Sequence, residues 1–213
     1  RRLPISCATI KSMRICGRAL GIFCCILPSV LACAASGALM LPLAAAVFFH
    51  EAAHILVLRL VGGRLRDFRA APFGLRLEID ESTLSVGGEA LVAAAGSGAN
   101  LLCAGAAALL YAAARIDLAA FGALSLLYAF VNLLPTLPLD GGRLLCLALA
   151  ARGDPLRAVR VTAGVSLFLS LAVFLAASYR LLTTGQGLYA LLFSLYLLTV
   201  AAKSGVRDVP PRV

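Results

Sequence analysis

Apolar residues along this chain run in long unbroken stretches, without the spaced stripes that a helix shows when one face meets water. A helix needs roughly 17 to 25 such residues to cross the hydrocarbon core of a bilayer. Six stretches answer to that: 19–35, 38–61, 90–112, 119–134, 159–178 and 185–202, the last entered through Gly185 and Gly187. Between the second and third the period changes. Arg64-Leu65-Arg66-Asp67-Phe68 and Leu75-Arg76-Leu77-Glu78-Ile79-Asp80 alternate around Pro72-Phe73-Gly74, which reads as a β-hairpin on the membrane surface or equally as an amphipathic linker. The expected fold is an all-α polytopic membrane protein. It is one domain over residues 1–213, with about six transmembrane helices and a small cytoplasmic membrane-surface β-hairpin.

Composition agrees with the pattern. Hydrophobic residues make up 62% of the 213, and mean hydropathy is +0.97, which leaves too little polar sequence to cover a water-soluble domain. The net charge of +9 adds an orientation. With the N-terminus inside, 17 of the 19 Lys and Arg fall in cytoplasmic segments and only Arg115 and Arg180 fall outside, as the positive-inside rule requires. Both termini are then cytoplasmic and the protein multi-pass. Spread over every inner loop, the basic residues favour anionic lipid and form no patch suited to nucleic acid. The basic start followed by Ala32-Cys33-Ala34 also allows a cleaved signal segment in place of a first span. The seven cysteines show no C-x-x-C spacing and read as small buried hydrophobes.

Into the second apolar run fall the only two histidines of the chain, as His50-Glu51-Ala52-Ala53-His54. Residues four apart on a helix stand one above the other, so both imidazoles reach one Zn²⁺ while Glu51 lies beside it as general base. A His/Glu/His cluster at membrane depth is costly and marks function. The third ligand is expected in Asn132-Leu-Leu-Pro135-Thr-Leu-Pro138-Leu-Asp140-Gly141-Gly142. There the prolines remove backbone donors, the glycines allow irregular backbone, and Asp140 supplies a carboxylate. Counting back from position 61, the histidines lie about 10 to 16 Å from the inner end of their span at ~1.5 Å per residue. Asp140 follows the inner end of the fourth span, at matching depth.

The two motifs together resemble the site-2 protease family of intramembrane zinc metalloproteases, with the nearest likeness in the stage IV sporulation protease FB type. Pro72-Phe73-Gly74, Gly88-Glu89-Ala90-Leu91-Val92 and Ala95-Gly96-Ser97-Gly98-Ala99-Asn100 follow that group in order and spacing. The likeness covers residues 44–147. It implies hydrolysis of a peptide bond in or near a transmembrane segment of a membrane-associated protein, for example a sporulation-type precursor. Zn²⁺ would be held by His50, His54 and Asp140, Glu51 would be the base, and Asn132 and Asn100 would lie near the substrate. Ser97 stands where the family usually has Pro and Ala53 where it often has Gly. The sporulation type usually carries a CBS domain, which is expected to be lacking here; a membrane-bound regulator is compatible with the sequence.

Two other readings use the same residues. A transporter or ion or proton pathway would employ the His/Glu/Asp cluster to bind or relay a cation, and a catalytically inactive membrane regulator would have no need of Glu51. Asn100 reads equally well as an interhelical hydrogen bond.

Overall fold

The computed structural model of the chain describes residues 37–71, 74–80, 84–185 and 187–207. The first expected span, 19–35, lies outside the described residues. A 3₁₀ turn at Gly37–Leu39 leads into helix α1, Met40–Leu60. Two extended segments, β1 at Arg64–Ala71 and β2 at Gly74–Asp80, form a two-stranded sheet. Five helices follow: α2 at Val86–Ala114, α3 at Ala119–Leu133, α4 at Asp140–Arg152, α5 at Pro155–Thr184 and α6 at Leu188–Arg207.

Local sequence explains the helix boundaries. Ser85 caps α2 by accepting a hydrogen bond from the Gly88 amide at 3.1 Å, and Asp154 caps α5 by accepting from Leu156 and Arg157 with Pro155 at the first helical position. Gly185 closes α5 at φ +67°, a left-handed conformation that glycine adopts without steric cost. Helix α3 stops at Leu133 because Leu134 precedes Pro135 and is driven to an extended ψ of 132°.

Among the described residues, three helical segments are long and apolar enough to cross a bilayer: Gly37–Leu60, Val86–Ala114 and Pro155–Thr184. They coincide with the second, third and fifth expected spans. The fourth and sixth expected spans correspond to shorter apolar helices, Ala119–Leu133 and Ala190–Ala202. The 15 residues of α3 cover about 22 Å at ~1.5 Å per residue, less than the ~30 Å hydrocarbon core. Helix α4 was not anticipated. Its Gly141-Gly142 start favours irregular backbone by propensity, yet both glycines are buried within its first turn.

The helices fall into two compact units. In one, α1, α2 and α3 pack on one another. Small residues bring α2 and α3 close, since a Cβ built on Gly122 would meet that of Ala107 at 3.1 Å, and Phe49 of α1 meets Phe121 of α3 edge to face at 6.0 Å. In the other, α5 packs on both α4 and α6. Cys146, Ala158 and Val159 form a small core there, with Leu149 and Ala150 against it. Among the described residues, neither Cys103 nor Cys146 forms a disulfide.

The outer surface is more apolar than that of a water-soluble protein. Leu41, Leu102 and Leu182 are 79%, 76% and 86% exposed, while Asn100, Thr162 and Ser166 are 0% exposed. Many large apolar side chains face outward along the helices while small polar ones lie within, the arrangement expected when the surrounding solvent is lipid.

Candidate metal centre

The unit built from α1 to α3 holds the histidine pair. His50 is buried and His54 half-buried on α1, and the one-turn spacing brings their Nε2 atoms to 3.1 Å. The rings stand nearly perpendicular, 4.7 Å apart between centroids. Glu51, the next residue after His50, is half-buried.

A single face of α2 lies behind the pair. Val92, Gly96 and Asn100 are spaced four apart and all three are buried. The Val92 carbonyl sits 2.6 Å from Nδ1 of His54. A carbonyl can only accept, so a hydrogen of His54 is on Nδ1, and in the neutral imidazole Nε2 then presents a lone pair. Asn100, 0% exposed, brings its amide to 3.5 Å from Nδ1 of His50. Between them, Gly96 provides the room in which both Nε2 atoms lie. A Cβ there would stand 2.6 Å from Nε2 and Cε1 of His50 and would also strike Nε2 of His54. Tyr128 of α3 closes the other side of His50, edge to face at 4.9 Å. Both imidazoles are thus approached at Nδ1 from α2 and converge at Nε2, an arrangement from which two histidines can share one metal ion.

Asn132 lies on the buried face of α3 with Ser125, Tyr128 and Ala129, and its Nδ2 donates to the Tyr128 carbonyl at 3.0 Å. The structure thus brings His50, His54, Asn100 and Tyr128 together and sets Asn132 one turn beyond Tyr128.

Asp140 belongs to the other unit, where it is buried at the first position of α4. A carboxylate there faces the positive end of the helix dipole. The segment leading to it is fastened at three points. The Leu137 amide donates to Oγ of Ser166 at 2.8 Å, and that hydroxyl donates to the Thr162 carbonyl at 2.7 Å. The Leu139 amide donates to the Thr136 carbonyl at 2.8 Å. Gly142 rests on the same segment, since a Cβ there would come within 2.5 to 2.7 Å of the Thr136 and Leu137 backbone. Gly142 therefore permits close packing of a helical turn, a different service from the irregular backbone its sequence suggested.

Val92, Gly96, Tyr128 and Ser166 carry roles that the sequence reading did not assign. For Gly96 and Val92 the signal was present as the four-residue spacing to Asn100. Ser166 carried none, because an isolated serine in an apolar run has no partner visible in sequence.

The model of Peptidase family M50 matches residues 116–175, a stretch that includes Asn132 and Asp140. No curated protein matches the chain. The fold is similar to that of the site-2 protease from Methanocaldococcus jannaschii, with a TM-score of 0.62 at 22% identity over 91% of each chain. The chain thus has the fold of a site-2 protease, and a segment of it matches a metallopeptidase family.

Proposed function

We propose that this protein is an intramembrane zinc metalloendopeptidase that hydrolyses a peptide bond in or near the transmembrane segment of a membrane-associated protein. The observation that carries the reading is the convergence of the His50 and His54 Nε2 atoms at 3.1 Å within an apolar helix, with both Nδ1 atoms approached from α2. The residues suit a zinc ion. His50 and His54 would supply two ligands, and the buried carboxylate of Asp140 at the start of α4 is the one we assign as the third. When bound, zinc polarises the scissile carbonyl and acidifies a water. Glu51 takes the proton of the attacking water and returns it to the departing amine. Asn132, buried one turn from Tyr128, is assigned to the substrate.

The likeness of residues 72–100 and 132–143 to the sporulation protease favours a sporulation-type or signalling precursor as substrate. That likeness also favours a bacterial cell membrane, the apolar runs favour six spans, and the basic-residue distribution favours cytoplasmic termini. The paired segments Arg64–Ala71 and Gly74–Asp80 offer a strand edge on which an unwound substrate could be held. Because a helix occupies its carbonyls in i to i−4 hydrogen bonds, the substrate must unwind before it is cut. Purified protein in detergent, given a matched series of membrane peptides, should cut faster when helix-breaking residues flank the scissile bond and slower when Leu or Ala runs replace them. Rates indifferent to helix propensity would overturn the intramembrane part of the proposal.

A further inference from the structure

We propose that Asn100 is a positioning residue that fixes the tautomer of His50, by accepting the Nδ1 hydrogen on its amide oxygen. The inference rests on the zinc reading above. His54 shows what the site demands. Its Nδ1 lies 2.6 Å from the Val92 carbonyl, a pure acceptor, which directs its Nε2 lone pair toward His50. His50 needs the same treatment, because an imidazole can ligate through Nε2 only if its remaining hydrogen is on Nδ1. The group that approaches Nδ1 of His50 along α2 is the amide of Asn100, two turns beyond Val92 on the same buried face.

The ligand role of His50 sets the orientation of that amide. As drawn, Nδ2 faces His50 at 3.5 Å, and Oδ1 is buried with no hydrogen-bond partner. The two ends of an asparagine amide are nearly the same shape, and their assignment comes from the network around them. Either orientation leaves one end unpartnered, so the decision falls to His50. Two donors, Nδ2–H and Nδ1–H, cannot share a hydrogen bond. A half-turn of the amide brings the oxygen to Nδ1–H, which removes that conflict and leaves Nε2 as a lone pair beside that of His54. Asn100 then does with a side chain what Val92 does with its backbone.

This role differs from substrate contact and from simple interhelical bonding, and substitutions separate them. Asn100→Asp keeps an oxygen acceptor of the same shape, while Asn100→Leu keeps the volume and removes the acceptor. Zinc affinity of the purified full chain, measured by chelator competition, should fall about 10- to 100-fold in Asn100→Leu, the range for loss of an outer-shell partner, and should stay near wild type in Asn100→Asp. Cobalt(II) absorption should be wild-type-like in Asn100→Asp and weakened or shifted in Asn100→Leu. With excess zinc present, KM for a membrane peptide should be unchanged in Asn100→Leu. Wild-type zinc affinity in Asn100→Leu together with a raised KM would overturn the inference in favour of substrate contact. Equal loss in both variants would show that the intact amide, not an acceptor, is required, and would overturn it also. Wild-type protein that takes up no zinc would overturn the zinc reading and this inference together.

Discussion

Adding one methyl group at Gly96 tests whether the space between α1 and α2 is a metal pocket. An alanine Cβ at that position would stand 2.6 Å from Nε2 of His50, about 0.8 Å short of the 3.4 Å at which ordinary contact begins, and would also strike Nε2 of His54. The obstacle on both sides is an imidazole gripped at Nδ1, so neither ring yields without breaking that grip. Metal–ligand distances tolerate only about 0.2 Å. Overpacking of this kind costs about 1 to 3 kcal/mol, which corresponds to roughly 5- to 150-fold in zinc affinity at ~1.4 kcal/mol per tenfold. Gly98→Ala is the control, because it is the same change on the same helix with nothing within 4 Å of the added Cβ. Alanine is the better helix former by about 0.5 to 1 kcal/mol, so Gly98→Ala should be at least as heat-stable as wild type and bind zinc as tightly. Chelator competition on the purified variants, with circular dichroism to establish that each is folded, gives the comparison. Folded Gly96→Ala protein with wild-type zinc affinity would refute the reasoning.

Other substitutions examine the remaining supports. Gly142→Ala places a Cβ within 2.5 to 2.7 Å of the Thr136 and Leu137 backbone, which cannot rotate away; a loss of about 1 to 3 kcal/mol in thermal or denaturant unfolding is expected. Ser166→Ala leaves the Leu137 amide without its acceptor and should cost about 1 to 3 kcal/mol, with zinc binding weakened through the displaced Asp140 segment. Ser166→Thr, which keeps the hydroxyl, should lose less in the same measurements. For orientation, cysteine-accessibility labelling should place position 154 on the cytoplasmic side and positions 117 and 184 outside.

The parts of this architecture that were legible in the sequence are those that depend on one helix alone. The one-turn spacing of His50 and His54 fixes a common face whatever surrounds it, and the convergence of their Nε2 atoms follows. The long apolar runs at 38–61, 90–112 and 159–178 each became a helix of spanning length. What the sequence did not disclose depends on where a second element approaches. Gly96 looked like any of the small residues of α2 until α1 was set against it, and the Val92 carbonyl is a backbone atom with no signature of its own. Helix α4 escaped notice because Gly142 makes a close contact with the Thr136 and Leu137 backbone that outweighs the poor helix propensity of the Gly141-Gly142 pair. The shortness of α3 was legible in principle, since Pro135 limits the residue before it.

Mutations that separate the metal ligands from the base give the most direct test of the proposed activity. Zinc per chain and cleavage of a membrane-spanning peptide should be measured on the same purified samples of wild type, Glu51→Gln, His54→Ala and Asp140→Ala. Wild type should hold about one zinc and cut. Glu51→Gln should hold the same zinc and lose at least about 10²-fold in rate, the typical contribution of a positioned base. His54→Ala and Asp140→Ala should fall well below one zinc and cease to cut. Full zinc and full activity in Asp140→Ala, or undiminished cleavage in Glu51→Gln, would contradict the central claim.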